Sequence, residues 1–284
     1  MELALLAASG IGVFKALADN SIRGNLMMQI GKVERYINDK LAREGAMLFA
    51  LIDPPDHKTV DDAVLHAQQS ADGGADLILI GGSIGVQGAV LDEVAKRVKE
   101  KVNVPVVLFP GNISTVTRYA DAIYFMSLLN SRNPYWISQA QTLAAPTVKQ
   151  MGIEALPVGY IVVEPGGTVG WVGDVNLVPR AKPQLGAALA LAAQYSGSRF
   201  VITDTGSAPA DGPVPLDMVK TVSSVLDIPY IVAGGIRTPD QAGKIIAAGA
   251  DAIHVGTAIE KAGDAKKTIG ALVKAVKSEG KKRA

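Results

Sequence analysis

The chain has 284 residues, of which 48% are hydrophobic and 19% charged, with a formal net charge of +1 and no cysteine. That length suits one large domain with a sizeable core. The balanced charge leaves no electrostatic footprint for nucleic acid, and the lack of thiols excludes disulfides and thiolate metal sites.

Residues 3–14 are apolar and end at Lys15, too short a run to span a bilayer, and Glu2 stands where a secretory signal would carry a basic residue. Residues 1–31 are therefore expected to be a helical N-terminal extension, and residues 32–284 a single domain in the cytoplasm. From residue 46 onward, short apolar runs alternate with helical stretches. The first strand covers 47–52 and ends at Asp53; a helix signal over 59–69 follows, with Asp61 and Asp62 at its positive end. A second strand, 76–80, ends at Gly81-Gly82-Ser83, and a helix spans roughly 89–100. The third strand, 104–109, stops at Pro110-Gly111-Asn112, and 121–125 is a short fourth. The fifth runs over 155–163 into Glu164-Pro165-Gly166-Gly167, and the last three cover 199–203, 229–233 and 251–255. Helical patterns occupy 183–196, 215–226, 239–248 and 258–277.

Eight strands alternating with helices demand a parallel sheet covered by helices, and near-continuous apolar strands mean that both faces are buried. The expected fold is a (β/α)8 TIM barrel. A doubly wound open sheet is disfavoured because no G-x-G-x-x-G follows the first strand. In such barrels chemistry gathers beyond the carboxyl ends of the strands. Those ends carry Asp53, Ser83, Glu164, Asp204, Gly234-Gly235 and Gly256-Thr257. The glycine turns after strands seven and eight occupy the usual phosphate site, where backbone N–H groups approach an anion unobstructed. Asp53 with Ser83 suits a light magnesium site shared with substrate phosphates, although a turn residue before Pro54-Pro55 reads equally well. Glu164 reads as a general base for a hydroxyl or as a plain loop carboxylate. The histidines His57, His66 and His254 show no metal-ligand spacing, and Asp61-Asp62 lacks the third aspartate of the all-helical prenyltransferases.

The block Gly159-Tyr160-Ile161-Val162-Val163-Glu164-Pro165-Gly166-Gly167-Thr168-Val169-Gly170 closely resembles the fifth-strand motif of the geranylgeranylglyceryl phosphate synthases and their bacterial heptaprenyl relatives. Asn130-Ser131-Arg132-Asn133-Pro134-Tyr135-Trp136 and Ala233-Gly234-Gly235-Ile236-Arg237 are similar as well, and the likeness runs from about residue 32 to about residue 277. The resemblance implies a magnesium-dependent transfer of a geranylgeranyl chain from its diphosphate to the C3 hydroxyl of sn-glycerol 1-phosphate, in archaeal ether-lipid synthesis. It implies magnesium at Asp53 and Ser83, and a glycerol-phosphate loop over Ile202, Thr203, Asp204, Thr205, Gly206, Ser207 and Ala208. It places the phosphate at Gly234, Gly235, Gly256 and Thr257, the glycerol against Tyr160, and Glu164 as the base. The family loop commonly reads Tyr-Leu-Glu-Ala-Gly-Ser-Gly, so Ile202, Asp204 and Ala208 are departures. Heptaprenyl transfer is the alternative, as is a different phosphate-binding barrel such as a sugar-phosphate isomerase; an aldolase would need a lysine at a strand end, and none is there. Peripheral membrane contact and a homo-oligomer, dimer or hexamer, are expected. Tyr135 and Trp136 either serve that assembly or pack within their own barrel.

Overall fold

In a computed structural model of the chain, residues 30–84, 86–207 and 209–283 are described. The expected extension over 1–31 and Ala208 lie essentially outside them. Eight parallel strands pair in sequence order and close on themselves, β1 (Met47–Ile52), β2 (Leu77–Ile80), β3 (Val106–Leu108), β4 (Ala122–Leu128), β5 (Glu154–Val162), β6 (Phe200–Asp204), β7 (Tyr230–Ala233) and β8 (Ala252–Val255). The expected barrel is present, with no strand end shifted by more than three residues.

Successive side chains of a strand point to opposite faces, so each strand feeds two cores. On β1, Leu48, Ala50 and Ile52 pack outward against helices, whereas Met47 and Phe49 fill the interior. The same alternation sends Val201 outward and Phe200 and Ile202 inward on β6. Carried one step past Ile52, it aims Asp53 inward at the rim; at the end of β6 it does the same for Asp204. The polar rim is thus a direct product of the period-two pattern.

The outer layer comprises α1 (Lys32–Glu44), α2 (Val60–Asp72), α3 (Gly88–Lys101), α4 (Ala140–Met151), α5 (Gly167–Val172), α6 (Pro183–Tyr195), α7 (Leu216–Ser223), α8 (Pro239–Ala247), α9 (Thr257–Glu260) and α10 (Ala265–Gly280). None of the described helices is long and apolar enough to cross a membrane. Three features depart from the pattern read in the sequence. The helical run over 258–277 divides into α9 and α10, because the Asp264 side chain accepts the Lys267 N–H at 2.9 Å and starts a new helix. The 135–151 stretch is helical, opening as a wide turn over Tyr135–Gln139; it buries only Val148 in α4 and contains Pro146, so its apolar periodicity is faint. Residues 109–121, between β3 and β4, hold no helix at all.

The lower end of the barrel is closed by α1, whose Val33 and Ile37 join the interior core. Its first N–H groups donate to the Glu154 carboxylate at 2.7 and 2.9 Å, and Glu34 pairs with Arg199 at 2.5 Å. Nearby, buried Asp76 receives Lys40 and Lys277 at 2.7 and 2.8 Å and the Leu48 N–H at 2.8 Å. Such a multiply satisfied buried carboxylate belongs to the stability end of the barrel.

His254 lies inside the barrel, its ring stacked on Tyr124 with Nε2 3.1 Å from the phenol oxygen, while Nδ1 has no partner. Burial lowers its pKa from 6.5 to about 3. Between those limits the unfolded chain binds the proton and the folded chain does not, so stability falls as pH falls. From about pH 7 to about pH 5 the native chain should lose about 2 kcal/mol that a His254→Gln variant keeps, as measured by urea unfolding at each pH. Parallel curves for the two proteins would contradict this.

Candidate active site

Two cavities open at the carboxyl ends of the strands, and they share Leu51, Asp53, Phe109, Asp204, Gly206 and Ser207. The larger is a groove of about 1070 Å³, counted to its open mouth. Its walls are mainly apolar and come from β3–β5 and α4–α5, including Ile113, Val116, Phe125, Trp136, Ala144 and Val172. Ile113 and Val116 reach it because no helix covers the β3–β4 connection. Ser83, Gly82 and Asn112 give one margin of the groove a polar character.

The smaller cavity is more polar than the groove and sits over β6–β8, bounded by Gly234, Gly235, Arg237, Gly256, Thr257 and Ser207. Gly234 and Gly235 have φ of 83° and 72°. A Cβ on Gly234 would lie 2.6 Å from both Asp204 Oδ1 and Thr205 Oγ1; one on Gly235 would meet Pro209 and Pro213 at 2.9 Å. Both positions therefore require glycine, for backbone conformation and for space. The turn ends in a capping box, Thr238 and Gln241, that starts α8.

Asp204 stands where the two cavities meet. Its Oδ1 accepts the Gly206 N–H at 2.6 Å and its Oδ2 accepts the Tyr160 hydroxyl at 2.8 Å. Tyr160 is the register partner of Ile202, so the adjacent strand supplies a phenol beside the position where the family loop carries tyrosine. Burial raises the Asp204 pKa, against the opposing pull of these two hydrogen bonds. Burial likewise pushes Asp53 up to about 7, aided by Glu260, Asp56 and Asp204. Asp53 Oδ1 is buried without a hydrogen-bond partner. Asp53, Asp56 and Glu260 form an acidic cluster whose carboxylate oxygens lie within 4.8 Å of one another, the spacing of a cation site.

The rim thus brings together Asp53, Ser83, Tyr160, Asp204, Gly206, Ser207, Gly234, Gly235, Gly256 and Thr257. Ile202 is buried beneath it, and Thr203 points out of the barrel, its hydroxyl 2.6 Å from that of Tyr230. Thr205 is buried but borders neither cavity. Glu164 is not brought there. It is exposed, borders neither cavity, and its Oε2 accepts the Arg180 N–H at 3.2 Å. Because β5 ends at Val162, strand alternation no longer aims the side chain two residues later. Trp136 is half-buried in the groove wall. The Asn130-Ser131 block is a staple. Asn130 bonds Val162 on both its N–H and its carbonyl, and Ser131 Oγ donates to the Gly173 carbonyl at 2.6 Å.

Arg237 and the apolar groove walls carry no role in the sequence reading. The arginine sits in the quoted Gly-Gly-Ile-Arg turn and was its visible signal, whereas Ile113, Val116 and Val172 are ordinary apolar residues without one.

The profile of the PcrB family matches residues 40–276. The chain is 52% identical over 241 residues to a geranylgeranylglyceryl phosphate synthase of Thermococcus gammatolerans, covering 85% of this chain and 94% of that protein. It is 54% identical over 235 residues to the synthase of the same name from Pyrococcus horikoshii, covering 83% and 91%. The crystal structure of (S)-3-O-geranylgeranylglyceryl phosphate synthase from Thermoplasma acidophilum, in complex with its substrate sn-glycerol-1-phosphate, superposes with a TM-score of 0.82 at 35% identity, covering 88% of this chain and all of the other.

Proposed function

Since the chain belongs to the PcrB family, we propose that it is a prenyltransferase that joins a geranylgeranyl chain to the C3 hydroxyl of sn-glycerol 1-phosphate and releases diphosphate. The observation that carries this reading is the shared wall of the two cavities: Asp53 and Asp204 border both a polar pocket and an apolar groove. A phosphorylated acceptor and a lipid donor can meet only at such a junction.

The acceptor phosphate lies against the glycine turns at Gly234-Gly235 and Gly256-Thr257, with Ser207 and Arg237 beside it. Asp204 takes the base role in place of Glu164, which is turned toward Arg180. A carboxylate whose pKa is raised by burial is better matched to accepting a proton near neutrality. Asp204 accepts the C3 proton, the freed oxygen bonds to C1 of the donor, and the C1–O bond breaks with its electron pair leaving on the diphosphate. Tyr160 and the Gly206 N–H fix the orientation of the carboxylate. The prenyl tail lies in the groove between the β3–β4 connection and α4, where water is excluded by Phe125, Trp136 and Val172.

Asp53 and Ser83 would hold magnesium on the donor side. The unpartnered Asp53 Oδ1 and the all-oxygen donor set suit that hard ion. An ion held by these two residues would supply charge neutralisation to the departing diphosphate.

The test is incubation of the protein with labelled glycerol 1-phosphate and a panel of prenyl diphosphates, followed by analysis of the lipid product. Geranylgeranyl transfer is the expected result; no ether product with any donor would refute the reading. Ala144→Phe narrows the groove and should depress turnover of the geranylgeranyl donor more than that of the farnesyl donor, with the acceptor KM unchanged.

A further inference from the structure

β1 and β8 are neighbouring strands, with Ala50 opposite Val255. Their continuations therefore converge above the rim, and each delivers an acid. Asp53 follows β1 directly, and Asp56 ends the one-turn helix Pro54–Asp56, fixed by its own N–H bonding to the Asp53 carbonyl at 2.9 Å. Glu260 ends α9, anchored where the Ile259 N–H returns to the Gly256 carbonyl at 2.7 Å.

These three carboxylates lie within reach of a single point, and among the described residues none of them forms an ion pair with a lysine or arginine. Asp53 is half-buried, and its Oδ1 is fully buried and has no hydrogen-bond partner. Converging carboxylates without a counterion repel one another. Oxygen-only donors in this number are the ligand set of a hard divalent cation. Asp53 and Ser83 alone make a sparse site that leans on donor phosphates for its remaining ligands. A site with three acids has no such need.

We infer that Glu260 and Asp56, converging with Asp53, form a three-carboxylate site that loads the divalent cation onto the free protein before the prenyl diphosphate arrives. The inference rests on the reading of Asp53 as a cation ligand and adds Glu260 and Asp56 to it. The donor then meets a metallated rim; it does not carry the ion in.

The experiment is a manganese titration of the full chain without either substrate, with free Mn²⁺ followed by electron paramagnetic resonance. The native protein should take up one ion per chain. Glu260→Gln should weaken that uptake by more than about tenfold, the loss produced even by residues that merely support a ligand. Asp92→Asn, at an exposed acid of α3 that borders neither cavity, should leave it unchanged. Melting curves in chelator give a second readout. There Glu260→Gln should be at least as stable as the native chain, since a repelling charge is gone, and added Mn²⁺ should raise the melting point of the native chain only. Native-like Mn²⁺ uptake by Glu260→Gln, with uptake lost in Asp53→Asn, would overturn the three-carboxylate site and leave Asp53 as a ligand. Uptake that appears only once diphosphate is added would overturn it as well. Unchanged uptake in Asp53→Asn would instead refute the underlying assignment of Asp53.

Discussion

Asp204→Asn is expected to lower kcat by about 10²–10⁴-fold, the range supplied by a positioned general base, while Glu164→Gln stays within a few-fold of the native enzyme. The amide is nearly isosteric, keeps a carbonyl for the Gly206 N–H and the Tyr160 hydroxyl, and removes only the proton-accepting charge. Its effect should fall on kcat with little change in acceptor KM, because the phosphate contacts lie on other turns. The pH profile offers an independent check. Asp204 must be ionised to act, and burial raises its pKa. Activity should therefore fall, as pH is lowered, through a limb set above the ordinary carboxylate range, and Asp204→Asn should lack that limb. Steady-state kinetics of the two variants decide between the acids. A crippled Glu164→Gln beside a competent Asp204→Asn would reverse the assignment.

Gly234→Ala is expected to cost at least about 100-fold in kcat/KM, equivalent to about 2.7 kcal/mol of transition-state stabilisation. Two effects act together. A residue with a side chain at φ of 83° is strained, and its Cβ would press at 2.6 Å on the Asp204 carboxylate and the Thr205 hydroxyl. Gly212→Ala is the control, since Gly212 has φ of 78° but open space around its Cβ position. That variant should show the conformational strain as a small stability loss and keep its acceptor affinity. Calorimetric titration with glycerol 1-phosphate separates the two, and equal affinities would contradict a phosphate site at Gly234.

The barrel was legible because each strand is a short, doubly buried apolar run, and its ends are marked by glycine, proline or an acid. Asp53 and Gly234-Gly235 were readable for the same reason: strand alternation or a backbone requirement fixes where they point. Glu164 was not, since the strand stops at Val162 and the following loop takes its side chain to Arg180. The motif around it is dense with glycines and prolines, which records how the chain turns and says little about which acid faces the cavities. Thr203 shows the same limit from the other side, for its place in a quoted loop hid an outward orientation toward Tyr230. The α1 floor and the helical segment over 135–151 were missed because neither lies between strands with a sharp apolar period. Glu260 meets Asp53 only through closure of the barrel, across some two hundred positions of chain, and no local spacing announces that meeting.

The uncovered stretch between β3 and β4 has a consequence for how the enzyme can diversify. Under the proposed function, donor length would be gauged by the apolar wall on one flank of the mouth, whereas acceptor recognition and proton removal would reside on the opposite flank, in β6 through β8. Substitutions that recalibrate the ruler need not disturb the reactive centre, so one scaffold can accommodate tails of different length while its headgroup chemistry is inherited intact.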